Sequence, residues 1–335
     1  MVDLRSDTVT RPTPEMRRAM AEAEVGDDGF GEDPTVNRLE EVFADRLGKA
    51  ASLFVPSGVM ANQIALRVLA PPGSAVVAGR RQHVVAYELG AAARNAGIQF
   101  VAVDDADGTV RPQDVEWARL AANHHQPAVS LVCLENTHMA AGGVPWDLAG
   151  LRAVQSAAAG CPVHMDGARL FNAEVATGVP AATMAAASVT VSSCLSKGLC
   201  APVGSLLAGP ADVMAEGRIE RKRLGGAMRQ AGVLAAAGLL ALASMVERLA
   251  EDHARAHRLA EAVAERWPEA GLDPTGVRTN IVVFSCPGAD KVLEHLRQEG
   301  VLAEAIAPGV LRFVTHRDVN DDGVERTRRA LASAP

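Results

Sequence analysis

"VTVSSCLSKGLCAPVGSLLAG", residues 189–209, carries a lysine just where a buried strand runs out. Val189–Ser193 reads as a short β-run. Gly198 and the Ala201-Pro202 pair then break the chain, and an apolar run resumes over Gly204–Ala208. The two runs lie too close for a helix between them, so the second is expected to run antiparallel to the first. No acidic residue in this stretch accompanies Lys197. Lysine is scarce: Lys49, Lys197, Lys222 and Lys291 are the only four. Lys49 follows a helix end at Gly48, Lys222 lies in the charge run "RIERKR", and Lys291 opens the amphipathic "DKVLEHLRQEG"; all three have surface readings. A desolvated lysine with no counter-charge favours its neutral amine, a nucleophile suited to a Schiff base. A lysine that snorkels to the surface at a strand end explains the same residues, and the local sequence leaves both readings open.

Outward from this stretch, strand-like and helix-like segments alternate. The strands are expected at Ala51–Phe54, Ala75–Ala78, Gln99–Val103, Ser130–Leu134, Pro162–Met165, Val189–Ser193 and Gly204–Ala208. Helical spacing fills Met60–Leu69, Tyr87–Asn95, Gln113–Ala122 and Leu148–Ala158. Asp33 is placed as an N-cap with Pro34 at the first helical position, and Gly48 stops that helix. Alternating βα units imply an α/β fold: a seven-stranded, mostly parallel sheet with helices on both faces. Residues 1–32 form an irregular polar arm that includes "VGDDGFGEDPT"; residues 33–240 form the large domain. Residues 241–335 form a smaller α+β domain with strands near Asn280–Phe284 and Val310–Thr315.

The 335 residues are 48% hydrophobic and 22% charged, a globular composition with ample core. A net charge of −7 argues against nucleic-acid or anionic-membrane binding. The opening "MVDLRSDTVTRP" has no apolar h-region, so no signal peptide is expected. The apolar run "AGVLAAAGLLALASMV" is shorter than the ~20 residues of a membrane span and reads as a buried or subunit-facing helix. Five cysteines without paired spacing or a CxxC read as free thiols in a reducing cytosol.

In such a sheet, functional groups gather at the carboxyl ends of the strands. "PVHMDGARLFNA" puts Asp166 at one such end, and Lys197 follows 31 positions later, about one βαβ step of ~30 residues. An acid and an amine on neighbouring strand ends are what pyridoxal phosphate requires, the lysine for its aldehyde and the carboxylate for its ring nitrogen. An N-cap role for Asp166, on a helix starting at Ala168, is the plainer alternative. "VPSGVMANQIA" turns from strand to helix at Ser57-Gly58 and offers N–H groups to a phosphate from about Val59. His83, with Tyr87 and Glu88, lies beyond one strand; Glu135, Asn136 and His138 lie beyond another. His124 and His125 read as solvated, and His164 as structural. Arg169 and Arg312 can each grip a carboxylate through two parallel hydrogen bonds.

Taken together, "LRSDTVTRPTPEM", "VGDDGFGEDPTVNRLE", "PSGVMAN", "ENTHMAAGG", "HMDGARLFNA", "LSKGLCAPVGS" and "GGAMRQAG" resemble the threonine aldolase family. These are pyridoxal-phosphate enzymes of fold type I acting on L-threonine and L-allo-threonine. The resemblance runs from residue 3 to at least 240 and implies a set of roles. Lys197 would carry the cofactor as a Schiff base, Asp166 would pair with its ring nitrogen, and His83 would stack on its ring. Ser57, Gly58 and Val59 would hold the phosphate. Arg169, close to the cofactor as well, would bind the substrate carboxylate with Arg312 and Ser6. His138 would sit near the substrate hydroxyl, with Phe30 close to the substrate. Lys222 and Arg229 would reach a neighbouring subunit's site, making the enzyme a homodimer or homotetramer in the cytoplasm. Either His138 or His83 would serve as the base for retro-aldol cleavage to glycine and an aldehyde, with no metal needed. Val59, Phe30, Met139 and Cys200 depart from the family's usual threonine, tyrosine, asparagine and glycine. A β-eliminating lyase or an aminotransferase of the same fold type is the alternative. A nicotinamide-dependent dehydrogenase is disfavoured because no GxGxxG follows an early strand.

Overall fold

The computed structural model describes residues 1–335. They form β1 (Val2–Asp3), β2 (Ala51–Val55), β3 (Ala75–Gly79), β4 (Gln99–Val103), β5 (Val129–Glu135) and β6 (Val163–Asp166). Then follow β7 (Thr190–Cys194), β8 (Ser205–Gly209), β9 (Ile281–Ser285), β10 (Val301–Leu302), β11 (Glu304–Ala307) and β12 (Val310–Val314). Strands β2 to β8 make one sheet in the order β2-β8-β7-β6-β5-β3-β4. All seven expected strands are present. Only β8 reverses, pairing antiparallel with β2 and β7, as the short 195–204 connection requires.

Alternate side chains of each strand enter different cores. Val77, Val132 and Leu134 face helices Pro34–Leu47, Pro112–Leu120 and Leu148–Ala158. Val76, Ala78, Leu131 and Cys133 face helices Gly58–Leu69 and Ala91–Ala96. Both faces are covered, so a central strand such as β3 is buried along its whole length and reads as unbroken apolar sequence. Asp33 accepts from the N–H groups of Thr35 and Val36, Pro34 opens that helix, and Gly48 at φ 62° closes it. The apolar run after Ala231 becomes helix Gly232–Ser244, with Ala235, Ala237 and Leu242 in the main core. No single helix is long and apolar enough to cross a membrane. The five cysteines are all unbridged.

Two helix expectations need correction. Tyr87–Asn95 is not one helix: His83–Ala86 and Ala91–Ala96 are separated by a turn with Leu89 at φ 53° and Gly90 at φ 74°. That turn swings the Glu88 carboxylate inward. The helix after Asp166 starts at Leu170 rather than Ala168, with Arg169 as its half-in first residue.

The chain after Ser244 builds a second layer. Helix Leu249–Arg266 packs on the antiparallel sheet β11-β12-β9, around Leu259, Val263, Phe284, Phe313 and Leu331. Strand β1 joins this layer by pairing with β10, and the fully buried Leu4 anchors it there. Ser6 and Asp7 are thereby held between the two layers, and Thr10 Oγ1 donates to the Lys197 carbonyl at 2.9 Å.

Candidate active site

The carboxyl ends of β5, β6 and β7 lie side by side, since β6 pairs in parallel with both neighbours. Asp166 is the last residue of β6, and Lys197 stands three positions past the end of β7. Gly167 lets the chain turn here: a Cβ at that position would lie 2.5 Å from the Ser192 carbonyl oxygen. Helix Gly58–Leu69 starts at the same edge, with a Cβ on Gly58 only 2.8 Å from Cys194 Sγ. The close approach explains the glycine.

Asp166 is 6% exposed. Its Oδ1 accepts from the Ala168 N–H at 3.0 Å, and its Oδ2 accepts from Asn62 Nδ2 at 2.7 Å. The same Asn62 nitrogen donates to Glu88 Oε1 at 2.8 Å, while Gln63 Nε2 donates to Glu88 Oε2 at 2.7 Å. Carboxylate oxygens accept, so the Asn62 amide presents its NH2 to both. Its Oδ1 then faces His164 Nε2 at 3.1 Å and the Ser192 hydroxyl at 3.3 Å. Burial pushes His164 down to about 4, leaving it neutral, and its other nitrogen meets Thr190 Oγ1 at 2.9 Å. His164 is structural, as its sequence context suggested.

His83 opens the short helix after β3. Its N–H donates to Glu135 Oε2 at 2.6 Å, and its Nδ1 lies 3.1 Å from Glu88 Oε1. Its ring stacks with Tyr87 at a centroid distance of 5.6 Å. Burial opposes charge on His83, but the Glu88 hydrogen bond and the negative Asp166 outweigh it, so its pKa is raised. The ligand-type atoms of His83, Glu88 and Asp166 all lie within 4.8 Å of one another. Lys197 is half-buried, and its Nζ has no hydrogen-bond or ion-pair partner in the chain. Its charge acts on both Asp7 and His83.

Arg169 corrects the simple picture of a free carboxylate clamp. It is 6% exposed, and its Nε and Nη2 both donate to Asp7 at 2.7 Å. Asp7 is fully buried, which would raise its pKa, but Arg169 and the Asn280 amide hold it far below the usual carboxylate range. Only Nη1 of Arg169 lacks a partner. Arg312 on β12 gives Nη2 to the Arg5 carbonyl and Glu304 and leans Nη1 on Met139 Sδ at 3.1 Å. Its Nε is buried without a partner. Burial, then the nearby Arg169 charge, lowers the Arg312 pKa, so an anion beside Arg312 would relieve it. Ser6 is partly exposed one residue before Asp7, its Oγ accepting from Thr8.

His138 is a second correction. It is 1% exposed, its Nε2 lies 2.9 Å from Asp105 Oδ2, and its Nδ1 accepts from the Ala141 N–H at 3.2 Å. With both nitrogens committed inside the protein, the ring cannot meet a substrate hydroxyl. Its work is to cap the short turn Met139–Ala141 and to pair with the fully buried Asp105. Phe30, Lys222 and Arg229 also stand outside the strand-end cluster. Phe30 is 78% exposed. Lys222 and Arg229 line a cleft of about 260 Å³ with Asp28 and Arg221. His124 and His125 are exposed before β5, at the opposite end of that strand from Glu135. Lys49 is half-buried rather than free at the surface, donating Nζ to the Ser188 carbonyl at 2.6 Å.

Sequence reasoning missed Asn62, Asp7 and Asp105 and left Glu88 without a role. Asn62 carried a signal: it lies four residues after Gly58, hence on the same helix face, amid apolar neighbours.

The residues fit pyridoxal phosphate. Ser57 caps helix Gly58–Leu69 through Met60 N–H, while the N–H groups of Gly58 and Val59 have no acceptor in the chain. Such a helix start suits a phosphate. Asp166 retains lone pairs for a ring N–H, Lys197 Nζ is free, and the orphan Arg312 Nε suits a carboxylate.

Comparison with known proteins agrees with this geometry. The beta-eliminating lyase family model matches residues 3–286. The chain is 40% identical over 344 residues to low-specificity L-threonine aldolase 1 of Arabidopsis thaliana, covering 99% of this chain and 96% of that one. It is 39% identical over 340 residues to the low specificity L-threonine aldolase of Escherichia coli K12, covering 96% and 95%. In structure it is similar to a Leishmania major threonine aldolase, with TM-score 0.83, 19% identity and coverage of 99% and 98%.

Proposed function

The chain belongs to the beta-eliminating lyase family, among the relatives of the low-specificity L-threonine aldolases, and from that premise we infer how its residues work. It is a pyridoxal-phosphate-dependent lyase that cleaves L-threonine, L-allo-threonine and related β-hydroxy-α-amino acids to glycine and an aldehyde. The observation that carries this reading is the adjacency of Asp166 and Lys197 at neighbouring strand ends beside a free helix N-terminus.

Pyridoxal phosphate, when bound, supplies a sink for the electron pair released from the substrate Cα–Cβ bond. Lys197, through its unpartnered Nζ, would hold the cofactor's aldehyde. Asp166, oriented by Asn62 and Ala168, would face the ring nitrogen. Ser57, Gly58 and Val59 would hold the phosphate at the helix start. Arg312, through its orphan Nε, and Arg169, through its free Nη1, hold the substrate carboxylate, with Ser6 beside them. That grip orients the bond to be broken. His83 is the base for the substrate hydroxyl, since His138 is committed elsewhere.

We divide the chain into an N-terminal arm to about residue 32, a large domain to about 240 and a small domain beyond; the pairing of β1 with β10 supports the arm's reach to the small domain. The working enzyme is a homodimer or homotetramer in which Lys222 and Arg229 reach a neighbour's site. The exposed Val25, Phe30, Ile219 and Val233 support that reading. Its setting is the cytoplasm, where it takes part in threonine breakdown and glycine formation; its unbridged cysteines suit a reducing compartment.

The test is direct. Purified protein is expected to be yellow, with a band bleached by borohydride and the reduced cofactor's mass on the peptide carrying Lys197. L-threonine is expected to yield glycine and acetaldehyde in equal amounts. Ammonia and a keto acid instead would overturn the reading in favour of β-elimination.

A further inference from the structure

Nothing in the assigned chemistry explains why a carboxylate is buried behind His83. Glu88 is 5% exposed, and both of its oxygens are already taken up by neighbours in the chain. Its oxygens are met by Asn62 Nδ2, Gln63 Nε2 and His83 Nδ1, at 2.8, 2.7 and 3.1 Å. No arginine or lysine pairs with it; its one potential counter-cation is His83. The backbone departs from regular helix to place it there, with the fully exposed Leu89 in the left-handed region immediately after it.

We propose that Glu88 is a positioning residue for the cleavage step: it fixes His83 with Nδ1 protonated and Nε2 bare, so that Nε2 takes the substrate hydroxyl proton. The proposal rests on the aldolase reading above and extends it to a residue not in contact with substrate. The chemical argument starts from the acceptor-only nature of a carboxylate. Asn62 and Gln63 offer Glu88 N–H groups, and the third contact must also be a donor, which selects the Nδ1–H tautomer. Nε2 is the ring nitrogen without a partner in the chain, on the side away from Glu88. When the substrate O–H bond breaks, its proton passes to Nε2. The O–H electron pair becomes the second bond of the aldehyde C=O, and the Cα–Cβ pair stays with the glycine portion. His83 is then a cation against Glu88, in the arrangement by which a buried acid supports a histidine base elsewhere. The proton count is restored when Cα takes up a proton and His83 returns to neutral. Besides Glu88, the charged groups that face His83 are Asp166 on β6, Lys197 after β7, and Glu135 on β5, which accepts its backbone N–H.

Two measurements on the holoenzyme decide the matter. In Glu88→Gln, kcat is expected to fall about 100-fold with KM within about threefold and cofactor content unchanged. The acidic limb of its kcat/KM profile is expected to move to lower pH, because a charge that favours the imidazolium form of His83 is gone. Unchanged kcat with an unmoved acidic limb overturns the proposal. Should that variant fail to fold, imidazole-¹⁵N spectra of the native holoenzyme, with His83 assigned through His83→Asn, answer independently. Protonated Nδ1 with bare Nε2 is expected in the neutral ring, and the Nε2–H form overturns the proposal. Native enzyme that releases no glycine from L-threonine, L-allo-threonine or phenylserine would sink the aldolase reading instead, while the tautomer still reports on Glu88.

Discussion

Asn62 donates its side-chain amide to Asp166 across 104 residues of sequence, at 2.7 Å. The same nitrogen also reaches Glu88, so a single amide stands between two buried carboxylates. Asn62→Ala removes that bridge and leaves like charges face to face, a situation that favours protonation of one of them. Cofactor affinity is expected to weaken about tenfold, given ~1–3 kcal/mol for a lost hydrogen bond at a buried charged group. Titration of the apo form with pyridoxal phosphate measures it. An unchanged dissociation constant would show that Asp166 needs no such support.

In the proposed function, covalent attachment of the cofactor depends on Lys197. Lys197→Ala is expected to lose turnover by about 1,000-fold or more, and borohydride should then label no peptide. The fold should survive, because the Lys197 side chain has no partner to lose. A melting curve run beside the assay separates the two effects.

His138 is expected to matter for stability rather than for chemistry. His138→Leu leaves the fully buried Asp105 carboxylate with only the Arg81 backbone N–H as a donor. Breaking a buried pair from one side costs about 3 kcal/mol. Denaturant midpoints should fall accordingly, while kcat of the folded fraction stays within a few-fold of native. A large selective loss of kcat would restore the ring to the substrate.

The Asp7–Arg169 pair ties the N-terminal arm to the strand-end cluster. Asp7→Asn leaves a buried guanidinium without its counter-charge and is expected to cost about 3–5 kcal/mol. The KM for the amino acid should shift as well, since the freed fork can turn towards the substrate carboxylate. Equilibrium unfolding and steady-state kinetics on one preparation test both parts.

Acid should destabilise the protein in two stages. Burial depresses His164 and His253 to about 4, so at these two rings the unfolded chain binds more protons than the native one between about pH 4 and 6.5, while the raised carboxyls of Glu40, Glu135 and Asp252 act the other way. The contribution of these two rings to stability therefore falls as pH is lowered through that window, by a few kcal/mol on the order of magnitude that such shifts imply. Asp7 acts later: its depressed pKa stabilises the fold above the ordinary carboxylate range, and that contribution is lost only as pH drops below it. Urea midpoints followed from pH 7 to 4 should decline, and His164→Gln should flatten the curve. A His164→Gln curve parallel to the native one would contradict the neutral state of that ring.

The strands were legible because a doubly covered parallel sheet makes short runs such as "AVVAG" apolar throughout. Lys197 and Asp166 stood out for a similar reason, as charges at the ends of such runs. The turn at Glu88 was not legible. "YELGAAARN" keeps helical spacing, and only the inward pull of Asn62, Gln63 and His83 on one carboxylate sets the break. His138 misled because a histidine just past a strand end has the same sequence context whether it faces a cleft or a buried aspartate.

Local order along the chain therefore sufficed for the α/β alternation, the reversal of β8 and the lysine–aspartate pair on neighbouring strands, because each follows from hydrophobic period and segment spacing. The partnerships of buried polar groups were decided only by tertiary structure. Arg169 meets Asp7 from 162 residues away, and Asn62 meets Asp166 from 104. Hydrogen bonds and ion pairs act over about 3 Å, so which polar atoms satisfy one another depends on how the layers close.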